Sequence, residues 1–401
     1  MAKKSGKGSE RVYAQREEIV NRVIADMDKG GFEWVKPWKD MAAPHNPITG
    51  TTYRGGNRTH LAAMAMIRGY DDPRWVTFKQ IQKAGWHLKE NQKSCVVEKW
   101  TLYRRKVDKD APDDDKSAYE YIPRMLPPWS VFNMSQLMSQ EELEAFGEKT
   151  GQDMSGFTAP PPLPKIERNS DEENSRLADE VIAASRCPIE EKPANIAAYY
   201  PAVDRITMPP RESFSSNETF LTTMLHEMGH STGHPSAVGR TQNTQFGSKE
   251  YAFEELVAEM SSMFSASDLG LTGDVDPESE HYQQHVAYLQ SWREVLSADP
   301  GLLFRASTEA SKASDFVIDQ YEQHVGHEAP GRAFMKELDS QIPDEVCGEY
   351  RDKDTDRKND KEHGSLDALS AKEAEARAAS VSLSDKEHGA GEPARSTVVE
   401  R

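Results

Sequence analysis

The chain has 401 residues and a formal net charge of −18 at neutral pH, and this length favours two domains over a single one. Its three cysteines, Cys95, Cys187 and Cys347, are far apart and odd in number, which argues against a disulfide framework and predicts a reducing, cytoplasmic location. The first residues lack an apolar signal segment, and no apolar run reaches the roughly 18 residues of a membrane span. We therefore expect no export and no membrane partner.

The charge is distributed unevenly along the chain. Residues 1–106 contain 21 Lys and Arg against 11 Asp and Glu, a balance of +10, which leaves −28 for residues 107–401. A local cation excess of this size is typical of a segment that binds a polyanion, because cationic side chains neutralise phosphates and release their counterions. We expect such a partner for the N-terminal part.

The N-terminal elements follow from spacing and from turn residues. Apolar residues at helical spacing predict a helix over 10–29 that ends at Gly30-Gly31, and a loop rich in proline and glycine follows over 31–58. The acidic insert at 108–117 predicts an exposed loop or hairpin tip between two strands. The further predicted elements are helices at 57–68 and 77–84 and strands at 94–103 and 129–132. This order is typical of an α+β fold.

A proline-rich segment, TAPPPLPK at 158–165, predicts a stiff connector between two domains. The predicted divisions are an N-terminal α+β domain at 1–157, a linker at 158–170, a mostly helical domain with a small sheet at 171–345, and a polar tail at 346–401. We expect the tail to be disordered, because it has too few apolar residues to offset its ordering entropy. In the second domain the predicted elements are two short strands within 196–208 and helices at 173–186, 215–232, 249–268, 281–298, 305–324 and 329–340.

The segment FLTTMLHEMGH at 220–230 carries the strongest chemical signal. On an apolar helix His226 and His230 lie one turn apart on one face, which is the separation that a tetrahedral zinc ion needs from two ligands. Glu227 lies beside them, where it can hold a water molecule and take its proton. The pattern predicts a zinc-dependent hydrolase site of the HExxH type.

The next predicted helix supplies acidic side chains. Its apolar stripe leaves Glu255 and Glu259 four residues apart on one face. We predict Glu255 as the third metal ligand and Glu259 as an acceptor that orients a histidine ring. The E-x-x-x-E spacing resembles the ExxxD element of the gluzincin proteases, and this resemblance ranks Glu255 above Glu254. Three protein ligands leave one position for water, which is typical of catalytic zinc.

His234 is the alternative third ligand, four residues after His230. On a continuous helix His226 and His234 would be about 12 Å apart along the axis, which is more than one zinc ion spans. Only a break at Gly233 would bring His234 to the metal. We predict instead that His234 lies near the cleft, where it stabilises an oxyanion.

A purely structural alternative to the metal site also exists. Two histidines four residues apart can cap or pack a helix without binding metal. Burying His226, Glu227 and His230 in an apolar helix is costly without a partner, however, which favours the metal. His281 and His285 share the spacing but lack the glutamate and the apolar setting, so we interpret them as solvated or cleft-edge residues.

Aromatic residues in the N-terminal part are interspersed with cations and glycines. Single-stranded nucleic acid requires such surfaces, because bases stack on rings at ~1–3 kcal/mol each while Lys and Arg contact the phosphates. No helix-turn-helix or zinc-finger spacing predicts duplex binding. In the alternative interpretation the tryptophans are core residues and the cations form a solvated face. The predicted contacts to single-stranded DNA are Trp38, Tyr53, Arg54, Asn57, Arg58, Arg74, Trp75, Lys79, Trp86 and Lys89.

The two halves together resemble the ArdC-type antirestriction proteins of plasmids and phages, a group related to the N-terminal parts of some conjugative primases. The resemblance implies an N-terminal domain that binds single-stranded DNA, a C-terminal zincin-like metallopeptidase domain, and protection of entering DNA from host restriction. The acidic insert and the tail depart from the pattern. The matching segments, in order over residues 10–325, are HNPITGTTYRGGN, DPRWVTFKQ, VFNMSQL, YYPAVDRITMPP, HEMGHSTGH, FGSKEYAFEELVAE and the helix around YLQSW.

We therefore predict a cytoplasmic antirestriction protein of a mobile element that binds single-stranded DNA and carries a zinc metallopeptidase site for an unidentified protein substrate. One alternative is a DNA-binding protein without peptidase activity, whose zinc site is vestigial or structural. The other is an accessory factor in DNA transfer or replication.

Overall fold

A computed structural model of the chain describes residues 7–27, 42–107, 112, 119–164, 169–193, 196–240, 248–271 and 292–348. These residues belong to two units, the segment Lys99–Leu126 and a larger unit formed by the described residues on either side of it. Among the described helices, none combines the length and the apolar content that a membrane span requires. The three cysteines, all within the described residues, are buried and form no disulfide with one another.

The N-terminal part combines helices with short antiparallel sheets. Helix α1 (Lys7–Met27) buries Ile19, Val20 and Val23 against α2 (Gly55–Arg68). The other elements are β1 (His45–Asn46), β2 (Thr51–Thr52), β3 (Trp75–Thr77), α3 (Phe78–Lys83), β4 (Cys95–Val97), β5 (Trp100–Lys106), β6 (Tyr119–Met125) and β7 (Trp129–Asn133). Strand β1 pairs with β2, and β7 lies between β3 and β4 in an antiparallel sheet.

Strands β5 and β6 form a two-stranded antiparallel hairpin, which is the smaller unit. The register pairs Trp100 with Met125 at one end and Lys106 with Tyr119 at the other. Most of the acidic insert lies outside the described residues, so its loop conformation stays a prediction. The strands on either side of it pair as a hairpin tip requires.

The C-terminal part is mostly helical and includes one small sheet. Helix α4 (Gln140–Thr150) precedes the predicted linker, and the elements after the linker are α5 (Asp171–Ala184), β8 (Ile189–Glu191), β9 (Ala198–Tyr200), β10 (Arg205–Met208), α6 (Asn217–Ser231), α7 (Lys249–Asp268), α8 (Gly301–Val325) and α9 (Pro330–Ser340). Strand β10 lies between β8, to which it is parallel, and β9, to which it is antiparallel. Helix α7 packs against both α6 and α8. Strand β9 is therefore an edge strand of a sheet that lies beside the central helices.

The two halves of the sequence share a hydrophobic core within the larger unit. Thr59 of α2 donates a hydrogen bond to Ser307 of α8 at 2.5 Å, and both side chains are buried. Residues from both halves lie in the same buried cluster, among them Ile19, Leu61, Trp75, Leu256, Trp292 and Phe304. A second cluster lies around α5, β10 and α6. The predicted linker therefore connects two stretches of sequence that contribute to one core.

The α+β class predicted from the sequence is confirmed, and the predicted helices at 57–68, 77–84, 215–232 and 249–268 correspond to α2, α3, α6 and α7. The predicted single strand at 94–103 is wrong. It is divided into β4 and β5, because the backbone N–H of Glu98 donates to the Asn57 side chain and leaves the strand ladder. The predicted helix at 281–298 is described only from residue 292, and the tail only up to residue 348.

Six elements, α4, β1, β2, β3, β6 and β8, were not predicted, and β1 and β2 lie within the segment that was predicted as a loop. The sequence could have predicted the start of helix α4, because Ser139 and Glu142 have the spacing of a capping box and form one in the structure. Strands β6 and β8 are short or interrupted by proline, and their pairing partners decide their conformation.

Candidate metal centre

Helix α6 presents an apolar face and a metal-site face. It begins after Ser216, whose side chain accepts a hydrogen bond from the backbone N–H of Thr219. His226 is buried and His230 is partly exposed on the side that meets α7, and Glu227 is also buried. The apolar residues Phe220, Leu221, Met224, Leu225 and Met228 are buried in the second core cluster. Burial of these five side chains sets the rotation of the helix and so directs the histidines towards α7.

Gly229 allows α6 and α7 to approach closely. A Cβ atom at this position would lie 3.1 Å from the Cα of Ala258 and 3.2 Å from its carbonyl oxygen. Any larger residue would require one of the two helices to shift. The glycine between the histidines of the motif therefore sets the helix separation on which the site depends.

The three predicted ligands converge between α6 and α7. His226 Nε2 lies 3.7 Å from Glu255 Oε2, and His230 Nε2 lies 3.6 Å from Glu255 Oε1. One ligand atom of each residue lies within 4.8 Å of the other two. Two ligand atoms bound at about 2.1 Å to one tetrahedral ion are about 3.4 Å apart. The group has close to the size and the donor chemistry that a divalent metal ion requires.

Each imidazole also faces a carboxylate on its other side. His226 Nδ1 lies 3.3 Å from Glu259 Oε2, as predicted for a residue that orients a ring. His230 Nδ1 lies 3.6 Å from Glu254 Oε1. A carboxylate behind each ring favours the tautomer with its proton on Nδ1, which leaves Nε2 to accept a metal ion.

Glu254 and its partner Arg240 were not predicted from the sequence. Arg240 donates to both carboxylate oxygens of Glu254, at 2.7 and 3.1 Å, and to the backbone carbonyl of Gly229 at 2.8 Å. The E-E pair at 254–255 was a visible signal, but it could not show which glutamate faces which histidine. Arg240 lies outside both helices, so no helical spacing marked it.

The histidines and glutamates stabilise each other's charges. Burial lowers the pKa of His226, but Glu255 and Glu259 outweigh burial and raise the pKa to about 10. Burial raises the pKa of Glu255, but hydrogen bonding to His226 and the charge of His230 lower it to about 2. A divalent cation can replace protons among such groups, because metal binding requires neutral imidazoles and an ionised carboxylate.

Glu227 is held by the sheet. Its Oε2 accepts a hydrogen bond of 2.7 Å from the backbone N–H of Tyr199, which lies in the edge strand β9. The Tyr199 hydroxyl in turn donates to Asp204 at 2.8 Å. Glu227 is therefore held in position by a main-chain donor of the sheet.

His234 lies outside the ligand group, as predicted. Helix α6 ends at Ser231, so His234 follows in the next turn, where its Nδ1 lies 2.8 Å from Ser236 Oγ and 3.8 Å from Asp204 Oδ2. Arg186 donates to both oxygens of Asp204, and this hydrogen bonding lowers the pKa of Asp204 to about 2. The oxyanion role of His234 stays a prediction.

Comparison with known proteins places this geometry in a family. Residues 14–132 match the N-terminal domain of anti-restriction factor ArdC, and residues 176–309 match a zincin-like metallopeptidase domain. The crystal structure of the metal-free antirestriction ArdC protein from plasmid R388 is 28% identical, with a TM-score of 0.56 over 77% of this chain and 98% of that one. The chain is an ArdC-type protein.

Other relatives of this ArdC-type chain extend the comparison. The Mn(II)-bound structure of the R388 protein is 29% identical, again with a TM-score of 0.56, over 76% of this chain and 97% of that one. A DNA primase TraC of Escherichia coli is 30% identical over 79% of this chain but only 28% of the primase, so the chain spans about a quarter of that relative. The protein y4eC of Sinorhizobium fredii is 27% identical over 79% of this chain and 95% of its own length. The two-domain α+β organisation is confirmed, and the zincin-like domain implies a metal ion.

The structure corrects six of the predicted DNA contacts, and four of these are buried side chains. Trp75 and Trp86 are wrong as stacking residues, because they are 0% and 4% exposed and belong to hydrophobic clusters. Arg58 is wrong as a phosphate contact, because it is buried and pairs with Asp268 at 2.8 Å. Arg74 is wrong for the same reason, since it is buried against the Asp72 carboxylate at 2.6 Å. The alternative interpretation of the tryptophans, as core residues, applies to both of these rings.

The remaining predicted contacts are placed differently. Tyr53 is also corrected, because it packs against the first core cluster and burial raises the pKa of its hydroxyl to about 12. Asn57 is corrected as well, because its amide is engaged with the Glu98 backbone. Trp38 lies outside the described residues. The side chains of Arg54 and Lys79 are exposed, and that of Lys89 is partly exposed, so their contacts to DNA stay predictions.

Proposed function

We propose that this chain is an antirestriction protein whose zincin-like domain is a zinc-dependent peptidase. The observation that carries the proposal is the convergence of His226 Nε2, His230 Nε2 and the Glu255 carboxylate, with Glu227 beside them. Two imidazoles and one carboxylate form a donor set typical of catalytic zinc, because they leave one coordination position for water or substrate. The unidentified substrate would be a protein that acts on entering DNA.

The chain's residues have separate roles in this chemistry. When bound, the metal ion polarises the scissile carbonyl and lowers the pKa of water. Glu227 takes the proton from the attacking water and passes it to the leaving amine. The Tyr199 N–H holds Glu227 in place. Glu254 and Glu259 hold the two rings so that each Nε2 faces the ligand position.

The test is a Glu227→Gln substitution, assayed by protection of unmodified DNA that enters a restricting host. We expect protection to be lost, since a general base contributes about 10²- to 10⁴-fold to rate, while bound zinc per chain is unchanged. The matched control is Glu250→Gln, because Glu250 is an exposed glutamate at the start of α7. Full protection by the Glu227 variant would contradict a peptidase role and favour protection by DNA binding alone.

We also propose that the N-terminal part binds single-stranded DNA. The balance of +10 over residues 1–106 supports this proposal, because a strand binds such a segment through its phosphates. Affinity for a labelled oligothymidylate is expected to fall steeply as salt is raised. Salt-insensitive binding, or equal affinity for a duplex, would contradict it.

A second candidate function is an accessory role in DNA transfer or replication, favoured by the match to DNA primases TraC. Stimulation of primer synthesis by the purified chain would support this candidate. Protection of entering DNA without any effect on priming would reject it.

A further inference from the structure

The hairpin formed by β5 and β6 exposes large aromatic side chains. Trp100, Tyr103 and Tyr121 are 47%, 52% and 44% exposed. An isolated two-stranded hairpin is only marginally stable in water, and half-exposed rings leave apolar surface in contact with water. A surface of this kind indicates a binding partner.

The strand register assigns these rings to two different faces. Side chains that pair across the strands point to the same side, and successive residues alternate between sides. Trp100, Arg104 and Lys106 of β5 therefore share a face with Tyr119 and Tyr121 of β6. We call this the aromatic face. The opposite face carries Thr101, Tyr103, Arg105, Glu120, Ile122 and Arg124.

On the aromatic face Arg104 lies opposite Tyr121 and Lys106 lies opposite Tyr119, while Trp100 lies towards the other end of β5. The Arg104 guanidinium lies 3.5 Å from the centroid of the Tyr119 ring, and Lys106 Nζ lies 5.9 Å from it. From Trp100 to Lys106 the face is about 20 Å long, which is sufficient for several nucleotides. Among the described residues of the hairpin the acidic side chain, Glu120, lies on the opposite face, where it pairs with Arg105 at 2.6 Å.

The charge of the paired strands favours an anionic partner. Residues 99–107 and 119–126 contain five cations (Lys99, Arg104, Arg105, Lys106 and Arg124) against Glu120. The sequence between the strands, residues 108–118, contains five aspartates and two lysines. The cationic part of this region is therefore its strands, so an anion would be attracted to the strands and not to the acidic sequence between them.

We propose that the aromatic face of the β5–β6 hairpin is a contact surface for single-stranded DNA. Bases stack on Trp100 and Tyr121, and Arg104 and Lys106, which lie at the Tyr121 end of the face, contact the phosphates. Rings and cations that share one face fit a single strand, whose bases are unpaired and whose backbone is anionic. A duplex offers no free base faces, so the surface discriminates against it. This inference rests on the single-strand binding proposed above and assigns to it a site that Tyr53, Trp75 and Trp86 do not provide.

The test uses the full chain and a labelled 20-nucleotide oligothymidylate, with a duplex of the same length as competitor. The double substitution Trp100→Ala with Tyr121→Ala is expected to weaken binding at least about fivefold per ring, since each stacked base contributes ~1–3 kcal/mol. The matched control is Tyr103→Ala, which removes an equally exposed ring from the opposite face. Substituting both Arg104→Gln and Lys106→Gln is expected to make the fall of log affinity with log salt less steep, by about 1.4 in the slope, because two phosphate contacts are lost.

The outcomes separate this inference from the proposal on which it rests. If the unsubstituted chain binds no single strand, both fail. If it binds and the double variant, checked for an unchanged unfolding temperature, binds equally well, the hairpin assignment alone is wrong. An equal loss in Tyr103→Ala, or equal competition by the duplex, would also overturn stacking on the aromatic face.

Discussion

Two buried histidines, one in each half of the sequence, differ in what surrounds them. His60 of α2 is buried near two arginines, and burial, with the charges of Arg16 and Arg68, lowers its pKa to about 3. His226 of α6 is buried as completely as His60, yet the carboxylates of Glu255 and Glu259 raise its pKa to about 10. Burial alone therefore does not make a histidine part of a site. What distinguishes His226 is that a carboxylate faces each of its two ring nitrogens.

The same difference separates the two predicted sites as wholes. At the metal centre, spacing along two helices predicted which side chains converge. In the N-terminal half, the prediction rested on composition, and the structure uses Trp75, Trp86 and Arg74 inside the core. A helical repeat predicts on which face of a helix each side chain lies, whereas a composition gives only the types of residue that are present. Three measurements test this contrast, from the largest expected effect to the smallest.

Trp75→Ala tests whether this ring is core. Removing a fully buried tryptophan is expected to lower the free energy of unfolding by about 3–5 kcal/mol, measured by denaturant titration. Lys79→Ala, from the same predicted set but exposed, should change stability by less than about 0.5 kcal/mol. If the Trp75 variant were as stable as the unsubstituted chain and bound DNA more weakly, Trp75 would be a DNA contact, as the sequence had predicted.

Glu254→Gln tests the part of the metal centre that the sequence did not predict. Removing a carboxylate behind a ligand typically weakens metal binding about 10- to 100-fold, and the affinity can be measured by competition with a zinc chelator. Glu259→Gln should have a similar effect, because it faces the other ring. If Glu250→Gln weakened binding equally, the loss would reflect general charge and not ring orientation.

His60→Gln tests the buried histidine of the N-terminal half. The folded pKa of about 3 is below the ordinary value of 6.5, so protonation favours the unfolded chain as pH falls below 6.5. Above pH 6.5 this destabilisation of the folded chain is absent. Below pH 6.5 it increases by about 1.4 kcal/mol for each unit that the pH falls, until the folded pKa is reached. Glutamine can keep the hydrogen bond that His60 Nε2 donates to Gln15. The variant should therefore lose less stability between pH 6.5 and 4, and an unchanged pH slope would contradict this account.

Local spacing was sufficient for the metal-site helices and for three of the groups between them. Helix α7 was predicted with its observed bounds, and α6 to within two residues. His226, His230 and Glu255 could be predicted because an α-helix repeats every 3.6 residues, so positions four apart share a face. The resemblance to gluzincins was still needed to rank Glu255 above Glu254.

Contacts between residues far apart in the sequence were decided by tertiary structure alone. Arg58 and Asp268 are 210 positions apart, and Tyr199 and Glu227 are joined through a sheet edge and a helix. No local repeat encodes such pairs, because they depend on how separately formed elements pack. The HExxH spacing determined which side chains this chain can offer to a metal ion. Packing decided which carboxylate supports each histidine and which aromatic rings remain in contact with water.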